Sequence, residues 1–105
     1  MSWEGRARPL PEDPNDALLK ALRHPLRRLL LRRYVEAREK LSPKDLALAT
    51  SQPLSNVSYH VRELAAAGAV EIADEAPVRG SVQHFYVASA LVKETPWVLA
   101  TLGLS

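Results

Sequence analysis

The run from Leu54 to Gly68 carries two faces at helical spacing, and few small folds satisfy both. Val57, Val61, Leu64 and Gly68 fall at i, i+4, i+7 and i+11, a narrow stripe that other elements must cover. Ser55, Ser58, Tyr59 and Arg62 fall at i, i+3, i+4 and i+7 about half a turn round, a face of small polar groups and one long cation. A short helix buried on one side and rich in donors on the other has the character of a helix laid in a DNA major groove. Any surface helix of a soluble domain shares that periodicity, so the neighbouring segments decide. Ser55 reads as the N-cap and Gly68 as the left-handed residue that ends the helix.

A chain of 105 residues has room for one domain with a modest core. With 47% apolar residues it is a globular sequence rather than a disordered one. The absence of Cys removes disulfides, thiolate metal sites and Cys nucleophiles together. No run approaches transmembrane length, and Trp3, Glu4 and several prolines stand where a signal peptide would need an apolar core. A cytoplasmic protein with no membrane partner is therefore expected. The formal net charge is only +2, yet nine basic residues lie between Lys20 and Lys44 against Glu36 and Glu39. Such a local excess can draw in a polyanion; a solvated helix face is the alternative.

Residues 1–14, with Pro9, Pro11 and Pro14, read as a flexible N-terminal arm, and residues 15–105 as the domain. A first helix is expected over 15–23, edged by Leu18, Leu19 and Leu22. His24 before Pro25 resets the chain for a second helix to about residue 38. Leu26, Leu30, Tyr34 and Ala37 form the main stripe of that helix, widened by Leu31 and Val35, with Leu29 outside it. Ser42-Pro43-Lys44-Asp45 then combines a Ser cap, a Pro at the first position and an acid three residues after the cap. This third helix is short, with Leu46, Ala49 and Thr50 able to face inward. Residues 51–54 turn the chain into the donor-rich helix, so the pair makes a helix-turn-helix. After Gly68 the period changes to that of strands around Val70 and Ile72 and over 81–87, with a turn over 76–80. Thr95-Pro96 opens a last helix through Trp97, Leu99 and Leu102 that Gly103 stops.

Helix, helix, helix, recognition helix, hairpin, helix is the order of a winged helix-turn-helix, mainly α with a small β-hairpin. Three stretches resemble ArsR-type bacterial regulators: Ala21-Leu22-Arg23-His24-Pro25-Leu26-Arg27, then Asn56 to Val61 with Leu64 and Gly68, then Arg79 to Tyr86 as the wing of a subgroup. The match spans roughly residues 18–87, and the three motifs stand in the right order and spacing. The resemblance implies sequence-specific binding of double-stranded DNA by a homodimer, usually repressing transcription, with recognition helix 55–67 and wing 73–83. Ser55, Asn56, Ser58, Tyr59 and Arg62 match base- and backbone-contacting positions, and Arg79 matches the wing residue. Ser51 stands where relatives often have Gly, so a left-handed backbone there would carry some strain. The thiolate pairs and His/Asp clusters of the metal-sensing branch are missing, and no metal or other cofactor is expected.

Groove chemistry divides the roles. Arg62 suits guanine O6 and N7, Asn56 suits adenine, and Tyr59 suits sugar or a thymine methyl. Ser55 and Ser58 suit phosphates or water bridges, Lys44 is placed for the backbone, and Arg79 for a narrow minor groove. His24, His60 and His84 lie in three different elements with no i, i+4 pair; for His60 a packed, hydrogen-bonded imidazole is expected. Nothing makes a nucleophile elbow, a phosphate loop or a carboxylate pair, so no enzyme is read here. The rival reading is a winged helix used as a protein-interaction module without DNA binding, since one fold hosts both uses. For dimerisation the candidates are Leu18, Leu19, Leu22, Trp97, Leu99 and Leu102, apolar surface at the two ends of the chain that a core of this size hardly covers. The alternative is a last helix folded back on its own subunit. Neither an operator nor a small-molecule effector is named by these residues.

Overall fold

The computed structural model describes residues 13–104. The expected N-terminal arm lies outside the described residues up to residue 12; its last residue, Pro14, already begins the first helix. The elements run α1 (Pro14–Ala21), α2 (Pro25–Glu36), α3 (Pro43–Thr50), α4 (Leu54–Ala66), β1 (Val70–Val78), β2 (Ser81–Ala88), α5 (Ala90–Lys93) and α6 (Pro96–Thr101).

Helix starts follow local chemistry. Asp13 caps α1 by accepting the Asn15 N–H, and His24 caps α2 by accepting the Leu26 N–H at Nδ1, 3.2 Å. Ser42 and Asp45 form the full capping box expected of α3. α1 stops two residues short of expectation, and α2 ends at Glu36, where Ala37 turns extended. The three residues 51–53 join α3 to α4, and Ser51 adopts the left-handed conformation, φ 55°.

One core joins the helices to the base of the hairpin. Leu18, Leu30, Leu31, Val57, Val61, Leu64, Val92 and Val98 are fully buried, with Tyr34, Leu46, Val70, Tyr86 and Ala88 around them. Of α3, only Leu46 is buried; Ala47 packs on the core, while Ala49 is exposed.

β1 and β2 pair antiparallel from Val70↔Ala88 to Val78↔Ser81. The turn is tighter than the residue types of 76–80 suggested: β1 runs through Pro77, and only Arg79 and Gly80 turn, both at positive φ (47° and 83°). Two left-handed residues match the twist of a two-residue hairpin. Tyr86 and Ala88 put the 82-84-86-88 side of β2 toward the core. The register shifts between Ile72 and Asp74, a bulge at Ala73. Leu41 forms an isolated bridge with Tyr86, pinning the wing to the end of α2.

The last segment folds back on its own chain. The Ser89 hydroxyl accepts the Val92 N–H and starts α5, a single turn that the sequence reading missed. Trp97 Nε1 donates to Asn15 Oδ1 at 3.1 Å, tying α6 to α1, and Arg32 donates to the Leu102 carbonyl at 3.1 Å. Leu18, Leu22 and Leu102 are thereby buried within the chain, which corrects their expected place on an uncovered surface. The apolar groups left at that end are Leu19 and Leu91, exposed, with Trp97 and Leu99 half-buried. The architecture is a winged helix-turn-helix.

Candidate nucleic-acid interface

The start of α4 differs from its expected form. Pro53 is the cap residue, its carbonyl accepts the Val57 N–H at 3.1 Å, and no side chain caps the helix. Ser55 therefore lies inside the first turn, with its hydroxyl not needed as a cap. Gly68 does close the helix at φ 79°, where open space around it leaves backbone conformation as the reason for glycine.

Val57, Val61 and Leu64 are fully buried, which fixes the rotation of α4 and turns the opposite side outward. Ser55, Asn56, Tyr59 and Arg62 are exposed and Ser58 is half-buried. Lys44, in the first turn of α3, is exposed, and so is Arg79 at the hairpin tip. Among the described residues the Arg62, Arg79 and Lys44 side chains have no hydrogen-bonding or ionic partner; the neighbouring Glu63 faces Arg27 instead.

Ser58 and Arg62 come together with the wing. A cleft of about 260 Å³ is lined by Pro43 of α3, Ser58 and Arg62 of α4, and Val82, His84 and Tyr86 of β2. His84 Nε2 lies 3.1 Å from Glu75 Oε2 on the paired strand. In the sequence His84 stands apart from His24 and His60 with no i, i+4 partner; strand pairing is what brings it to Glu75 and into this cleft. Lys44, Ser55, Asn56, Tyr59 and Arg79 stand outside this cleft.

The basic run divides into two sets. Arg28 donates to the Leu22 carbonyl at 2.6 Å, Arg32 binds the Leu102 carbonyl and Glu36, and Lys40 pairs with Asp74. The Lys40 bond leads the causes that hold the Asp74 carboxyl below the usual range, followed by the Glu75 N–H. These cations fasten the fold. Arg23, Arg33, Arg38 and Lys44 have no side-chain partner among the described residues and carry the basic character outward.

Arg27 is the cation whose role was least visible in the sequence. It reaches from α2 to α4, where its Nε donates to His60 Nδ1 at 3.1 Å. Its guanidinium also stands 3.8 Å from Glu63 and 6.0 Å from the centre of the Tyr59 ring. The His60 ring, 7% exposed, packs 4.2 Å from His24 and 5.0 Å, edge to face, from Tyr59. Burial is the first cause that holds His60 below the usual histidine range, followed by His24 and Arg27, while Glu63 opposes them. Among the described residues no three His, Asp or Glu side chains gather where they could hold a metal ion. No helix there is long and apolar enough to cross a membrane.

No family model and no curated protein matches the chain. Among solved structures, reduced HlyU from Vibrio cholerae N16961 is similar to it, with a TM-score of 0.60 and 26% sequence identity, covering 86% of this chain and 82% of that one. Together with the exposed polar face of α4, the likeness supports, at a coarse level, a winged-helix DNA-binding protein of the transcriptional-regulator kind.

Proposed function

We propose that this chain is a homodimeric regulator of the ArsR-like kind, without metal sensing, that binds a specific double-stranded DNA site and represses transcription. The carrying observation is the outer face of α4: Tyr59 and Arg62 stand exposed on a helix whose inner stripe is fully buried, and Arg62 has no intramolecular partner among the described residues. A buried stripe fixes the helix's rotation before the duplex arrives, so little order is lost on docking. Arg62 reads guanine, Asn56 adenine, and Tyr59 a sugar or thymine methyl; Ser55, Ser58 and Lys44 hold the backbone. Arg79, at the tip of the wing, enters the minor groove. In the dimer, Leu19, Leu91, Trp97 and Leu99 pair across a two-fold axis and set the two α4 helices roughly 34 Å apart. No catalysis is assigned.

Salt dependence tests the reading. If each subunit neutralises about three phosphates, the log-log slope of affinity against salt for a random duplex pool is about −5. A flat response between low and physiological salt rejects it. A second reading, a protein-interaction module, draws on Leu48 and Leu54, 74% and 48% exposed around the helix-turn-helix turn. Clean protein that retards no duplex at low salt favours that reading.

A further inference from the structure

Tyr59 is a large side chain, 47% exposed, that could sample many orientations, yet it is gripped from below by two groups. Arg27 lies over its ring and His60 meets it edge to face. These two grip each other as well: the Arg27 Nε–H points at His60 Nδ1, which can accept only while the imidazole is neutral with its proton on Nε2. We propose that Arg27 and His60 are positioning residues that hold Tyr59 for the duplex, and that uptake of a proton by His60 releases the hold. The inference rests on the DNA-binding reading of α4.

A proton arriving at Nδ1 replaces an acceptor with a donor and sets a second positive charge against the guanidinium. The Arg27 bond is then lost, and Arg27 moves from both His60 and Tyr59. The groups facing His60 settle the balance. His24 at the start of α2 and Arg27 in its first turn oppose a proton there, Glu63 on α4 favours one, and Lys20 of α1 borders the cleft that Arg27 and Glu63 share. Burial also lowers the proton affinity of His60, which agrees with a neutral ring in the folded protein. Once released, Tyr59 has to be ordered again on binding. Freezing one such side chain weakens affinity by roughly 2- to 10-fold.

The sign separates this device from ordinary electrostatics. Protonation of exposed histidines adds positive charge and tightens binding to a phosphate backbone as pH falls. Release of Tyr59 weakens it.

The experiment measures binding of the full chain to its best-bound duplex, selected from a random pool, at pH 8 and pH 5.5 and constant ionic strength. His60→Gln keeps a neutral acceptor for Arg27 without titrating. It lacks the ring that meets Tyr59 edge to face, so each protein is compared with itself: from pH 8 to pH 5.5 the wild-type protein is expected to lose roughly 2- to 10-fold more affinity than the variant does. Tyr59→Ala is expected to bind weakly at both pH values, and to bind equally whether or not it is combined with His60→Gln. Equal pH profiles for wild type and His60→Gln overturn the proposal. The free protein gives a readout that needs no DNA: by NMR, the Tyr59 ring resonances are expected to move with the same midpoint as the His60 imidazole, and to stay still in His60→Gln. If no duplex binds at any pH, the DNA reading fails, and a Tyr59 ring that ignores His60 protonation overturns the hold separately.

Discussion

Tyr34 and Tyr86 meet edge to face, 6.4 Å between ring centres at 72°, around a single carbonyl. That carbonyl, of Leu41, accepts the Tyr34 hydroxyl at 3.2 Å and the Tyr86 backbone N–H at 2.9 Å. Burial, the largest cause, pushes the Tyr34 hydroxyl's pKa well up, so it stays a donor. The joint fastens the wing to α2, and through α2 to α4.

Tyr34→Phe removes one of two donors to Leu41 and leaves the other. The expected cost is about 0.5–1 kcal/mol, the low end for a lost hydrogen bond, because no acceptor is orphaned. Tyr34→Ala also empties core volume and is expected to cost about 3–5 kcal/mol. Urea unfolding of the two variants checks the contrast; equal losses would place the joint's strength in the hydroxyl rather than the ring.

Ser51 occupies the left-handed region at φ 55°, where a Cβ costs about 1–2 kcal/mol. Ser51→Gly relieves that cost but gains freedom in the unfolded chain, about 0.4–1 kcal/mol against it. The net expectation is a gain between zero and about 1.5 kcal/mol, whereas Ser51→Val, branched at Cβ, is expected to lose about 1 kcal/mol or more. Thermal unfolding of the pair measures it, and a stabilised Val variant would contradict the assigned backbone conformation.

Arg62 and Lys44 are expected to fail in different ways. Arg62→Ala should weaken the best site by roughly 1–3 kcal/mol and relax one base position, while Lys44→Ala weakens all sequences about equally. Binding to a selected duplex and to a scrambled one separates them. The same loss on both duplexes for Arg62→Ala would make it a phosphate contact.

Dimerisation is best tested on the surface, since cutting the chain after Ala90 would remove Val92, Val98 and Leu102 from the core. Leu19→Glu with Leu91→Glu places charge in groups that are 52% and 38% exposed in the single chain. The double variant is expected to sediment as a monomer, keep its helical circular dichroism and lose cooperative binding to a two-half-site duplex. Wild-type protein that is already monomeric well above its DNA-binding concentration would contradict the dimer.

Stability against pH follows from two depressed groups. His60 is held below about 6.5 in the folded chain, so the unfolded chain takes up the proton first. Its contribution is whole above about pH 6.5 and is lost as pH falls from there to its folded value. Asp74 acts in the same direction but only below about pH 4, the ordinary carboxylate range. Melting temperature is therefore expected to start falling near about pH 6.5 in the wild-type protein and later in His60→Gln; coincident curves would contradict the first window.

Local signals were legible, and distant ones were not. The α3 capping box and the stop at Gly68 depend on neighbours within a few residues, and both stand as the sequence reads. Ser55 was misplaced because a proline carbonyl two residues earlier took the first helical bond. α5 is a single turn, too short to show a period. The apolar residues of α1 and α6 look alike whether covered by a partner or by the chain itself; the Trp97–Asn15 and Arg32–Leu102 bonds that tie the last segment to its own chain span 82 and 70 residues. Arg27 was hidden as one cation in a basic run, since its partner lies 33 residues away.

A two-stranded ribbon has two open edges, and this one carries Ile72, Val78 and Val82 more than two-fifths exposed. Such a ribbon invites other strands to extend it. Leu41 occupies the outer edge of β2 at its base, the bulge at Ala73 breaks the run of β1, and Pro77 withholds an N–H near the tip. Glu71, Asp74 and Glu75 add charge along β1. The hairpin can thus display apolar side chains while offering no continuous template for edge-to-edge polymerisation.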